Sequence, residues 1–254
     1  MYPEVQLVGT GSGKAPQCVQ IDPAATVDWR AWLQATGWLA GARPGLADRL
    51  LEICLIRQYE EGDVIFREGI ASGDLFGVVE GQVAASHFGQ GNDDVDLIHI
   101  YRPGQWFGYG PIVEGGARRV QVTARRPSRV AVAPEGRLRG LLNDEPGLWE
   151  LMAWLSDVQG RLMIVSSLDL CRKSQRLRLM ATLLRLAGCR IEDGPEGPPY
   201  EIAASQLEIA EMSNMSRNVV SRLLQALGKE GLVVLKYRHL HLPDPGAIRR
   251  QLRG

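Results

Sequence analysis

Residues 205–222, SQLEIAEMSNMSRNVVSR, combine two helix-capping signals with a cluster of arginine, asparagine and serine. Ser205 and Glu208 stand in the S-x-x-E spacing of a capping box, in which hydroxyl and carboxylate satisfy each other's free backbone N–H groups. Leu207, Ile209, Ala210 and Met212 supply the apolar residues of the helix that starts there. Ser213, Asn214 and Met215 interrupt it, and Ser216 is a second good N-cap. The second helix is expected to bury Val219, Val220, Leu223, Leu224 and Leu227. Arg217, Asn218, Ser221 and Arg222 are then left around its exposed N-terminal half. An arginine fork can pair with guanine and an asparagine amide with adenine, and the start of a recognition helix is where such groups reach base edges. The competing reading is a plain two-helix corner with solvated arginines.

The following residues favour the first reading. Gly231 ends the helix, and LVVLKYRHLHL (232–242) alternates like a β-hairpin with its turn near Tyr237 to His239. Helix, turn, helix and hairpin is the order of a winged helix. Lys229, Lys236 and Arg238 then fall where phosphates could be touched. His239 and His241 share one face of a strand. With no third ligand legible nearby, they are expected to serve the wing or its packing rather than a metal.

Charge is placed consistently with this. The chain is formally neutral, with 29 Lys and Arg against 29 Asp and Glu. From Arg172 onward, however, it holds 14 basic against 8 acidic residues. A basic C-terminal part on an acidic larger part suits contact with a polyanion at one end, although chance scatter produces imbalances of this size.

The elements that must position this motif occupy the rest of the 254 residues, a length with room for two cores. No apolar run approaches the ~20 residues that span a bilayer, so no membrane partner is expected. MYPEVQLVGTGSGKAPQ lacks the basic and apolar regions of a secretory signal. Cys18, Cys54, Cys171 and Cys189 are widely separated, as suits reduced thiols in a cytoplasmic protein. Residues 1–27 read as a loose arm. Helical spacing between Trp29 and Leu55, broken at Gly41 to Gly45, leads into short strand-like runs from Arg57 to Val132. Gly62, Gly69, Gly73, Gly77 and Gly81 are expected at turns between these strands, giving a β-roll or barrel. GQWFGYG could bring backbone N–H groups near an anion, or simply be a turn.

A helix is expected over 146–170. Its Leu148, Leu151, Leu155, Val158, Leu162 and Val165 recur at steps of three and four, as in a coiled-coil seam between two copies of the chain. A basic hinge, Arg172 to Arg178, and a further helix, RLMATLLRLAG, follow, and the loop GCRIEDGPEGPPY (188–200) leads to the winged helix.

This combination resembles the cyclic-AMP receptor protein and FNR (Crp-Fnr) family of bacterial transcription regulators. The resemblance runs from about Trp38 to Leu242 and is most specific in EEGDVIFREG...VVEGQV and in Q-L-E-I-A...M-S-R-N-V-V-S-R-L-L. It implies an α+β fold with three parts. A cyclic-nucleotide-binding-like β-roll sensor (28–145) precedes a dimerisation helix (146–171) and a winged helix-turn-helix DNA-binding domain (172–254). It also implies a homodimer on a palindromic promoter site, with RNA polymerase as a further partner. By resemblance Arg217, Asn218 and Arg222 fall on base-reading positions; Ser216 and Ser221 are further DNA-contact candidates around them, and Lys229 is a candidate phosphate contact.

The departures concern the ligand. Family members that bind cyclic nucleotides carry roughly F-G-E-[LI]-[AS] and, about ten residues on, R-[ST]-A. Here Gly108 is followed by Tyr109 in place of the ribose-binding glutamate, and Arg118 is retained but followed by Arg119 in place of the phosphate-binding hydroxyl. Met163 and Ile164 stand about where the cyclic-AMP receptor has a hydroxyl pair for adenine, with Ser166 and Ser167 a turn away. Each lost hydrogen bond should cost about 1–3 kcal/mol, so cyclic AMP is not the expected effector. The cysteine cluster of the iron–sulfur branch is absent, and no cofactor is expected. Gly108, Tyr109, Arg118 and Arg119 stay as candidate residues for an effector the sequence does not name. The alternative function is a ligand-sensing or protein-interaction module with vestigial DNA contact. No nucleophile–base or metal-ligand pattern supports an enzyme.

Overall fold

Between Leu55 and Ala133 the Val-, Ile- and Phe-rich runs form eight strands, because branched and aromatic side chains pack well on a pleated surface. The computed structural model describes residues 28–43, 45–88, 95–190, 200–236 and 239–253. The expected arm 1–27 and most of the 188–200 loop lie outside them, as do Cys18, Tyr237 and Arg238. Strands β1 (Leu55–Tyr59), β2 (Val64–Phe66), β3 (Leu75–Glu80), β4 (Val83–Phe88), β5 (Val95–Tyr101), β6 (Trp106–Phe107), β7 (Gln121–Ala124) and β8 (Ser128–Ala133) pair antiparallel in two sheets. Their orders are β1-β8-β3-β6 and β2-β7-β4-β5.

Side-chain alternation then sorts two cores. Phe76, Val78, Val130 and Val132 point into the roll with Val83, Ala85, Phe107 and Val122. The intervening Leu75, Val79, Ala131 and Ala133 point outward into a helical core. Strand β3 is therefore buried on both faces and reads as a continuous apolar run. Gly62, Gly69 and Gly81 have positive φ at turns, as expected. Gly77 differs, for it lies inside β3 with the Trp106 ring pressed on it, where a Cβ would sit 2.5 Å from the ring. Its small size is used for packing, not for turning.

The helical core comes from α1 (Trp29–Gln34), a 3-10 turn at Gly37–Gly41, α2 (Leu46–Glu52), α4 (Glu135–Asp144) and the start of α5 (Gly147–Leu170), with a short α3 (Gly110–Glu114) between β6 and β7. Here the expected dimer seam is corrected. Leu148, Leu151 and Leu155 are at most 3% exposed because they pack on Leu33, Leu50, Leu138 and Ala133 of their own chain. The first part of the heptad-like stripe, Leu148 to Val158, is thus the sensor's own core face, whereas Leu162 and Val165 lie outside that core and are half-buried. The outward face carries Trp149, Met163, Ile164 and Leu168, which are 41%, 53%, 61% and 63% exposed.

Beyond α5 the chain turns through a charged hinge. Asp169 is wholly buried and accepts from Arg190 at 2.7 and 2.9 Å and from Arg172 at 3.3 Å. Ser174 then caps α6 (Gln175–Ala187), which ends at Gly188 in the left-handed region. Strand β9 (Tyr200–Ile202), helices α7 (Gln206–Met212) and α8 (Arg217–Lys229), strands β10 (Val234–Lys236) and β11 (His239–Leu242), and helix α9 (Pro245–Arg253) complete a winged helix with a three-stranded sheet, β10-β11-β9. Its core shares Ile100 of β5, so sensor and C-terminal domain are packed together rather than merely tethered.

Candidate nucleic-acid interface and sensor pocket

The capping box forms as its spacing requires, with the Glu208 N–H donating to Ser205 Oγ at 3.2 Å and the Ser205 N–H to Glu208 Oε2 at 2.8 Å. The turn after α7 is built by Ser213, whose buried hydroxyl donates to the Ile209 carbonyl at 2.5 Å, and by Asn214 at φ 48°. Asparagine tolerates that left-handed conformation better than most residues. Met215 N–H closes the turn on the Ala210 carbonyl, and Ser216 Oγ accepts from Val219 N–H at 3.4 Å to start α8.

Val220, Leu224 and Leu227, at i, i+4 and i+7, are fully buried and fix which way α8 faces. Val219 and Leu223, expected inside, are only half-buried at the edge of that stripe. Ser216, Arg217, Asn218, Arg222 and Lys229 are exposed on the other side, with Ser221 half-buried between them. Among the described residues, no ion pair engages Arg217, Arg222 or Lys229. The first turn and a half of α8 thus offers two guanidinium forks, an amide and the positive end of a helix dipole. Lys229 lies exposed at the far end of α8, well beyond that stretch.

A groove of about 660 Å³ separates this turn from the sensor, with Ser216 and Arg217 on one wall and Asp96 and Leu97 of β5 on the other. Glu211 also lines it, and burial raises its carboxyl pKa, with Glu208 and Asp96 adding repulsion. Beside the groove, Arg125 forms an ion pair with Glu208 and donates to the Ala203 carbonyl at 3.0 Å, holding the sensor against the α7 cap. Sequence reasoning missed Arg125, because its partner lies 83 residues away and no local pattern marks the pair.

The retained arginine of the sensor has a different fate. Arg118 is 3% exposed; its Nη1 donates to the Gly108 carbonyl at 2.5 Å and its Nη2 to the Asp74 carbonyl at 2.6 Å. Its guanidinium lies 4.3 Å from the Phe66 ring centroid, and burial lowers its pKa. Gly108 at φ 91° permits this, since a Cβ there would approach Nη1 to 2.8 Å. The roll interior beside it is filled by rings. Phe66, Phe76 and Phe107 are 5.3–6.0 Å apart, and Tyr101 stacks on Phe107 at 4.7 Å. Arg119 stands apart on the surface, paired with Glu114 at 2.6 Å. Tyr109 packs half-buried against the helical core. Met163 and Ile164 face solvent, and the Ser167 hydroxyl is turned back onto the Met163 carbonyl at 3.0 Å. The four candidate ligand residues are therefore not brought together as one open site.

Among the described cysteines, Cys54 and Cys189 are buried and Cys171 is exposed. Cys54 is buried and donates to the Leu50 carbonyl, and burial pushes its thiol up to about 12. On the wing, Glu201 joins His239 and His241, the three offering donor atoms within 4.8 Å of one another.

Comparison with known proteins agrees with both halves. The family model of the cyclic nucleotide-binding domain matches residues 56–145, and that of the Crp-like helix-turn-helix domain matches residues 177–251. The global nitrogen regulator of Synechococcus elongatus is 24% identical over 200 residues, covering 77% of this chain and 89% of that protein. A CRP-family transcriptional regulator of Thermus thermophilus superposes with a TM-score of 0.60 at 24% identity, covering 78% of this chain and 97% of that one. FixK2 from Bradyrhizobium japonicum superposes with a TM-score of 0.64 at 18% identity, over 78% and 96% of the two chains. With a cyclic nucleotide-binding β-roll, a long connecting helix and a Crp-like helix-turn-helix in this order, the chain is a Crp-family transcription regulator with a helix-turn-helix DNA-binding domain.

Proposed function

We propose that the chain acts in the cytoplasm as a homodimer on a palindromic promoter site, alongside RNA polymerase, and that cyclic AMP does not control it. The observation that carries the DNA part is the exposed, unpaired face of α8, where Arg217, Asn218 and Arg222 project from the first turn and a half. Arg217 and Arg222 each suit a guanine, and Asn218 an adenine beside it. The dimer rests on the outward strip of α5, in which Trp149, Met163, Ile164 and Leu168 are too apolar and too exposed for an isolated helix face. Gly160 lies in the same strip and allows two such helices to approach closely. A two-fold pair of recognition helices then reads two half-sites.

Independence from cyclic AMP rests on Arg118. Its outer two nitrogens serve backbone carbonyls and its Nε is buried without a partner, so a phosphate could reach the remaining N–H groups only if the rings that enclose them moved aside.

Site selection from random DNA, followed by gel shift, tests the proposal. Arg222→Ala should cost about 1–3 kcal/mol on the selected palindrome and relax one base position. Lys229→Ala should weaken all sequences alike and reduce the salt slope by about one. If no sequence is enriched, or if Arg222→Ala weakens random DNA as much as the selected site, this docking of α8 is wrong.

A further inference from the structure

The face of the wing sheet turned away from its core holds a set of metal-binding groups that no local motif announces. Alternation along β11 buries Leu240 and Leu242 in the domain core and turns His239 and His241 to the opposite face. Antiparallel pairing with β9 sets Glu201 directly opposite His241. The result is two imidazoles and one carboxylate on one face of two adjacent strands, each contributing one donor atom within 4.8 Å of the others. His241 Nε2 and Glu201 Oε1 are 3.2 Å apart. Two ligands held at about 2.0–2.2 Å on one tetrahedral zinc are themselves about 3.3 Å apart, so this edge already has the required length. The His239 ring stands edge-on to His241 with centroids 5.8 Å apart, leaving room between them. His241 Nδ1 is buried without a hydrogen-bond partner, so an ion bound through either ring nitrogen displaces at most the one bond to Glu201.

We propose that Glu201, His239 and His241 bind a divalent transition-metal ion, of the class that imidazole and carboxylate select together, such as Zn²⁺, Co²⁺ or Ni²⁺. Three protein ligands leave a fourth position for water. The ion would fasten β9 to the wing, which the backbone joins through three residue pairs.

Co²⁺ titration of the full chain, followed by visible absorption and Zn²⁺ displacement, is the test. One saturating d–d band per chain, without a thiolate charge-transfer band, is expected. His239→Asn and Glu201→Gln should each weaken binding about tenfold or more, since even an outer-shell partner is commonly worth that much. Both positions are accessible, so melting temperatures in EDTA should match the parent chain, while added Zn²⁺ should raise the parent's melting temperature alone. Absence of a saturable band at millimolar Co²⁺, a band that survives the double variant, or a thiolate band placing the ion on cysteine would each overturn the site.

Discussion

Arg118 in the sensor and Arg222 on α8 carry the same guanidinium to opposite ends. One is sealed under Phe66 and donates to the carbonyls of Gly108 and Asp74; the other is exposed and, among the described residues, engages no ion pair. The difference is one of enclosure. A buried cation needs hydrogen-bond partners, and Arg118 has found backbone ones on both outer nitrogens although its Nε has none; the rings over it, more than the bonds, keep a ligand out. An exposed guanidinium on a rigid helix keeps its donors for whatever polyanion arrives. Arg118 has become a strut, while the arginines of α8 remain exposed.

The largest expected effects separate core from interface on α5. Leu155→Asp should remove the fold, because it places a carboxylate among Leu33, Leu50 and Leu138, at a cost of about 3–5 kcal/mol or more. Ile164→Glu with Leu168→Glu should instead give folded monomers with unchanged circular dichroism. Sedimentation showing intact dimers in the double glutamate variant would move the interface elsewhere.

Arg118→Ala comes next. It leaves two buried carbonyls and a void beside Phe66 and Phe76, so urea denaturation should show a loss of about 2–4 kcal/mol. A variant as stable as the parent would mean that Arg118 is free to bind an anion after all, and the contrast with Arg222 would fail.

A pH effect that builds up gradually over several units is expected where the two domains meet. Burial lowers the His99 pKa from 6.5 to about 3, helped by Arg102 and Arg185. The folded state therefore keeps His99 neutral while the unfolded chain takes up a proton below pH 6.5. Stability from this group is complete above pH 6.5 and is lost as pH falls towards 3, at about 1.4 kcal/mol per unit. Replacing His99 with Gln should flatten that part of the stability curve, as read by denaturation at a series of pH values.

The smallest expected effect is none at all. Millimolar cyclic AMP should leave the melting temperature and the calorimetric baseline unchanged, because a ligand stabilises only the state it binds. A saturable micromolar isotherm would show that Arg118 can leave its carbonyls, and would reverse the reading of the sensor.

Local patterns foretold much of this molecule. Ser205, Glu208 and Ser216 announce two helix starts through hydrogen bonds that span three residues, and those caps form as written. Strand alternation, the turn glycines 62, 69 and 81, and the wing hairpin were equally legible, since each depends on neighbours in sequence. The stripe on α5 was legible as apolar but not as to its partner. Steps of three and four describe a helix face equally well whether it meets another chain or its own sensor domain, and for Leu148, Leu151 and Leu155 packing chose the latter. Gly77 looked like a turn and proved to be a space for Trp106, a contact with a residue 29 positions on.

Sequence by itself thus determined the elements, their caps and the arginines of α8, because these follow from interactions within a few residues. Only the tertiary structure decided that Arg118 is enclosed, that Arg125 reaches Glu208, and that Glu201 meets His239 and His241. Each of those depends on where distant backbone comes to lie, and hydrogen bonding and burial act on that distance in space rather than along the chain.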